Sequence, residues 1–176
     1  MQRHTTIGRR VAGIAAAAAV VAGSLTSMTA PAQAYSPDPT VNKYHRNTGD
    51  CPCSGGELAD PFDGTYFEKD PGGTALKMEL TDSSGWFVGK VEFHPYDEKL
   101  WVYDTRNDGD GIFVTLSYYD DNGRNHTLGV FDTPSTQATV DKRVYDLSLP
   151  EGRLVTIRVW DNAALTDWIE TGQGRA

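Results

Sequence analysis

The chain has 176 residues, of which 39% are hydrophobic, 23% charged and 10% aromatic. That length suits one ordinary domain with a short extension, and the composition excludes the fibrous and low-complexity classes. The formal charge is −8, from 16 basic against 24 acidic residues. Such a balance repels phosphate backbones and anionic lipid, and argues against a nucleic-acid or membrane-surface partner.

Residues 1–34 read as a signal peptide. Arg9 and Arg10 close a basic n-region, Val11 to Gly23 form an apolar core, and Ala32-Gln33-Ala34 supplies a small-x-small cleavage site. The apolar run is short for a bilayer span. Val11-Ala12-Gly13 after the arginine pair lacks the bulky pattern of twin-arginine export, which favours the general secretory route. This segment carries Arg3, Arg9 and Arg10 and no acidic residue, so its removal leaves 13 basic residues against 24 acidic ones. No second apolar segment follows. A secreted, extracellular product with no membrane span is expected.

Residues 35–60 read as an extended, flexible N-terminal arm. They are rich in Pro, Gly and small polar residues, and their few apolar side chains bury too little surface to offset ordering. Tyr35, Val41, Tyr44, His45 and Leu58 are the candidate partner contacts of this arm. It also holds both cysteines of the chain, as Cys51-Pro52-Cys53. A local Cys51–Cys53 disulfide is favoured in an oxidising compartment, with Pro52 fixing one φ angle. Such a small ring closes almost no loop and adds little stability. Intermolecular bridges or a reactive pair stay open; a zinc site lacks two of its four ligands.

Residues 61–176 read as an antiparallel β-sandwich of seven to eight strands, with a closed barrel as the alternative. Short alternating runs recur at Ala75–Leu80, Trp86–Phe93, Leu100–Tyr103, Ile112–Tyr119, His126–Phe131, Thr139–Leu149 and Leu154–Trp160, with a last short strand over Leu165–Ile169. In the cleanest run, Val155, Ile157 and Val159 oppose Leu154, Thr156, Arg158 and Trp160. Asp82–Gly85 and Asp121–Gly123 have hairpin chemistry, because Asn and Gly tolerate positive φ. Nothing shows helical periodicity.

No catalytic constellation stands out, and no enzyme activity is expected. His45, His94 and His126 lack partners at ligand spacing, and no G-x-S-x-G nucleophile elbow occurs. Acidic residues are too many for any chosen pair to point to glycoside cleavage. The loop Asp104-Thr-Arg-Asn-Asp-Gly-Asp-Gly111 invites a calcium reading, but Arg106 takes one of the alternate positions and no Glu follows at the required distance. It reads as a strand-to-strand turn. No metal and no cofactor are expected. Trp86, Trp101, Trp160 and Trp168 could build a sugar-stacking face, although strands and cores favour aromatics in any case.

Four stretches carry a resemblance: Trp101-Val-Tyr-Asp-Thr-Arg-Asn-Asp-Gly109, Val114-Thr-Leu-Ser-Tyr118, Tyr145-Asp-Leu-Ser-Leu-Pro-Glu-Gly152 and Val155-Thr-Ile-Arg-Val-Trp160. They resemble small secreted Streptomyces β-sandwich proteins, and among these the adaptor subunits of umbrella toxin particles. The resemblance covers about 60 residues, from Trp101 to Asp161. It implies a non-enzymatic adaptor that links a lectin subunit to a large repeat-bearing toxin subunit in an extracellular antibacterial complex. It also implies that an extended N-terminal segment inserts into the lectin partner. A stand-alone carbohydrate-binding domain at a cell wall is the alternative.

Overall fold

The computed structural model describes residues 35–54, 64–134, 136 and 138–176. The residues 1–34, read as a signal peptide, and Leu58 lie outside them. Strands run β1 (Thr40–Asn47), β2 (Cys53–Ser54), β3 (Tyr66–Phe67), β4 (Thr74–Thr81), β5 (Phe87–His94), β6 (Lys99–Asp104), β7 (Phe113–Tyr119), β8 (Asn125–Asp132), β9 (Asp141–Asp146), β10 (Leu154–Trp160) and β11 (Trp168–Arg175). A single 3₁₀ turn, Tyr96–Glu98, joins β5 to β6. No helix among the described residues is long and apolar enough to cross a membrane.

The expected antiparallel β-sandwich is what the chain forms. One layer has the order β1-β4-β5-β6-β9 and the other β8-β7-β10-β11, with every pairing antiparallel. They join at one corner through Arg175 of β11 and Thr74 of β4. Alternation decides which side chains go between the layers. Leu76, Met78 and Leu80 of β4 face inward with Val91, Phe93, Leu100 and Val102, against Val114, Leu116, Val155, Ile157 and Val159.

The two outermost strands, β8 and β9, meet through side chains. The Tyr145 hydroxyl donates to the Asp132 carbonyl at 2.7 Å, and the Asp132 amide donates back to it at 3.0 Å. Arg143 adds a bond to the Asp132 carboxylate at 2.8 Å, and the Phe131 and Tyr145 rings meet edge to face at 4.8 Å. No backbone ladder joins these strands among the described residues, so the fold is a nearly closed sandwich rather than a barrel.

The segment ahead of the sandwich is extended, as expected, but its middle is part of a sheet. Thr40–Asn47 pairs with Thr81–Thr74 along its whole length, and Tyr35 and Val41 pack against the core. Lys43 donates to the Thr171 carbonyl of β11 at 3.1 Å. Thr40–Asn47 is therefore a strand of the sandwich. Ladder hydrogen bonds supply what the sparse apolar side chains of this segment do not.

The last strand also extends beyond the expected Leu165–Ile169, through the glycine-rich stretch Thr171–Arg175. Gly172 and Gly174 are buried and point at the core. A Cβ on Gly172 would lie 2.5 Å from Leu76 Cδ2 and 2.9 Å from Met78 Sδ. Missing side chains on β11 make room for large ones on β4, so glycine here serves packing rather than flexibility. Replacing Gly172 by Ala is expected to cost about 1–3 kcal/mol through overpacking. Gln173→Ala, exposed on the other face, should stay within about 0.5 kcal/mol of wild type. Urea denaturation of the two variants checks this.

Candidate functional site

Strands β4 and β5 are buried on both faces. Their outer face carries two Lys-x-Glu repeats, Lys77/Glu79 and Lys90/Glu92. The register sets Lys77 opposite Glu92 and Glu79 opposite Lys90. Within each strand the opposite charges also pair, Lys77 with Glu79 at 2.7 Å and Lys90 with Glu92 at 2.8 Å. The result is a neutral square of four charges. Lys90 has no exposed surface and Glu92 is 2% exposed.

A third, smaller layer covers this square. Lys90 donates to the Gly64 carbonyl at 3.0 Å, and Thr65 donates to the Glu92 carboxylate at 2.5 Å. Strands β2 and β3 pair with each other, Cys53 with Phe67 and Ser54 with Tyr66. Cys51 and Cys53 form a disulfide with a Cα–Cα distance of 4.6 Å. Cys51, Phe67 and Ala75 make a second apolar cluster outside the main core. The small side chain of Ala75 on β4 lets the Phe67 ring and the disulfide settle against the strand.

Beside this layer the same face opens into a cavity of about 650 Å³. The β5–β6 register places Trp101 next to Glu92 and Tyr103 next to Lys90. Four rings form a continuous wall. Phe67 meets His94 edge-on at 4.9 Å, His94 stacks on Trp101 at 5.2 Å, and Trp101 is followed by Tyr103 at 6.2 Å. Lys90 Nζ lies 4.3 Å from the Tyr103 ring centre, and Lys142 Nζ lies 5.2 Å from that of Trp101. Tyr96 and Lys99 stand at the rim.

Glu92 is the fixed charge of this wall. It accepts from Thr65, Lys90 and, at 3.0 Å, His94 Nε2. Burial pushes its carboxyl up, but the bonds from His94, Lys90 and Thr65 outweigh burial and hold it below the ordinary glutamate range. An ionised carboxylate only accepts, so His94 carries its proton on Nε2. A general acid needs a raised pKa; Glu92 is displaced the other way. The geometry suits holding a ligand. Rings offer stacking, and Glu92 offers an anion.

The arm residues named from sequence do not gather at this cavity. Tyr35 and Val41 lie against the main core, Tyr44 is half-buried on β1 opposite Lys77, and His45 is exposed at that edge. Of the four tryptophans, Trp101 lines the cavity, whereas Trp86 and Trp168 stand exposed elsewhere and Trp160 donates to Thr115 at 3.0 Å. Glu92 and His94 did not emerge from sequence as site residues. The available signal was the repeated Lys-x-Glu on adjacent strands. No family model, curated protein or solved structure matches the chain.

Two outcomes test the charge square. Lys90→Met leaves excess buried negative charge and is expected to cost about 3–5 kcal/mol, whereas Lys90→Met with Glu92→Leu removes a neutral pair and should cost less; urea midpoints rank the two. Because the Glu92 pKa is depressed in the fold, its contribution is present above the ordinary glutamate value and lost as pH falls through the lower folded value. Wild-type stability should therefore drop as pH falls below the ordinary glutamate value. Glu92→Gln, less stable at neutral pH, should show a shallower drop over the same range.

Proposed function

We propose that this protein is a secreted, non-enzymatic adaptor that binds protein partners. In this reading it joins a lectin subunit to a large repeat-bearing toxin subunit in an extracellular antibacterial complex. The observation that carries the binding role is the prebuilt aromatic cavity on the outer face of β5 and β6. Its wall is held by ring stacking and by the three donors on Glu92, so little ordering cost remains when a guest enters. A ring-lined recess with a fixed carboxylate fits an anchoring side chain of a partner, such as an arginine between aromatic faces. The segment 35–47 is engaged with its own sandwich, and the cavity offers a partner contact in addition to the arm residues Tyr44 and His45. The resemblance over Trp101–Asp161 supports the adaptor role in particular.

One observation favours a second reading, a stand-alone carbohydrate-binding domain. Trp101 lies nearly parallel to both His94 and Tyr103, at 28° and 15°, a broad aromatic surface on the cavity wall. The apolar face of a sugar ring could stack on it.

The test is affinity capture of the tagged protein from its native culture supernatant, with Trp101→Ala as the comparison. Stoichiometric recovery of a repeat-bearing chain and a lectin, lost in a folded Trp101→Ala variant, is expected. Recovery of the protein alone overturns the adaptor reading. Glycan-array binding that disappears with Trp101→Ala would then establish the second.

A further inference from the structure

At the end of the sandwich where β10 turns into β11, three carboxylates from two stretches of chain converge. Asp38 precedes β1, Asp161 follows β10 and Asp167 precedes β11. One oxygen of each lies within 4.8 Å of the others. The connection between Asp161 and Asp167 is pinned. The Asp161 amide donates to the Asp167 carbonyl at 2.9 Å, and the Thr166 amide donates to Asn162 Oδ1 at 3.0 Å. This holds the two carboxylates in a fixed relation.

Converging carboxylates alone do not make a site; Asp161 supplies the independent observation. It has no exposed surface, and neither of its carboxylate oxygens has a hydrogen-bond partner. A buried carboxylate without donors is costly, and proteins resolve it by protonation or by a cation. Its neighbours make matters worse. Asp167, Asp110 and Asp38 all add negative charge around it. Asp110 Oδ1 and the Tyr35 hydroxyl are also buried without partners. The surroundings are rich in oxygen and negative charge.

We propose that Asp38, Asp161 and Asp167 form a calcium site that fastens the N-terminal stretch to the β10–β11 connection. The donor set is oxygen only, which suits hard cations and disfavours zinc and copper. Calcium takes oxygens at about 2.3–2.6 Å in irregular geometry, so carboxylate oxygens within 4.8 Å of one another can share one ion. Magnesium demands a tighter, near-octahedral shell. Asp161 is the buried ligand, Asp167 is half-buried, and exposed Asp38 closes the site from the outside, leaving the remaining positions to water. The ion would supply the positive charge that Asp161 lacks.

Calcium titration of the purified protein after EDTA treatment tests this, read by calorimetry and by thermal unfolding. Saturable binding with a Kd of about 10⁻⁴–10⁻³ M or tighter is expected, as in extracellular calcium modules, with a rise in Tm. Asp161→Asn should weaken binding by about tenfold or more, since ligand charge sets affinity. Asp38→Asn, at an exposed position, keeps the test valid if the buried variant does not fold, and should also weaken binding. Absence of a calcium response overturns the proposal. So does an equal response in wild type and both variants, which would mean diffuse binding to an acidic chain. A magnesium response as large as that to calcium overturns the assignment of the ion.

Discussion

Four charges taken out of water on the outer face of β4 and β5 set the terms for much of this molecule. Ions so placed are costly unless each meets its opposite. The strand register meets that demand, with Lys77 facing Glu92 and Glu79 facing Lys90. A slip of two residues would bring Lys90 opposite Lys77, and a slip of one would turn the charges into the apolar core. The charges therefore select the pairing as firmly as Leu76, Met78 and Leu80 do from the other side. They also require a lid. The Gly64 carbonyl, the Thr65 hydroxyl and the Cys51–Phe67 cluster provide it.

The cavity is a by-product of the same arrangement. Trp101 and Tyr103 extend the charged rows of β5 onto β6, one ring beside Glu92 and one beside Lys90. Where the small third layer ends, these rings border open space. Glu92 thus serves both the stability of the square and the character of the wall. Through His94 it also orients the ring that stacks on Trp101. The cavity wall and the stability of the fold thus share Glu92.

Much of the fold was legible in the sequence. The alternation of Val155, Ile157 and Val159 placed β10, and Asp121-Asn-Gly123 placed a hairpin whose Gly123 has φ +73°. Strand β1 was not legible, because an edge strand held by ladder bonds and by Lys43 needs no apolar period. The end of β11 was hidden because its packing signal is the absence of side chains at Gly172 and Gly174. The charged rows of β4 and β5 look solvated in one dimension, and only the layer laid over them shows otherwise. The acidic loop that drew attention, Asp104–Gly111, spends Asp104 and Asp108 on its own backbone, at Arg106 and Asp110. Of the carboxylates that do converge, Asp38 is far in the chain from Asp161 and Asp167, and no local pattern announces the three.

The closure between β8 and β9 has a mechanical meaning. Elsewhere in the two layers, neighbouring strands share rungs of backbone hydrogen bonds that must yield together under shear. At this seam one tyrosine hydroxyl, one arginine and one ring contact span the gap. Such bridges give way one at a time, like a zip. A pull that separates β8 from β9 would part the seam while the ladders on either side stay whole. The sandwich thus has a built-in direction of compliance at its β8–β9 edge.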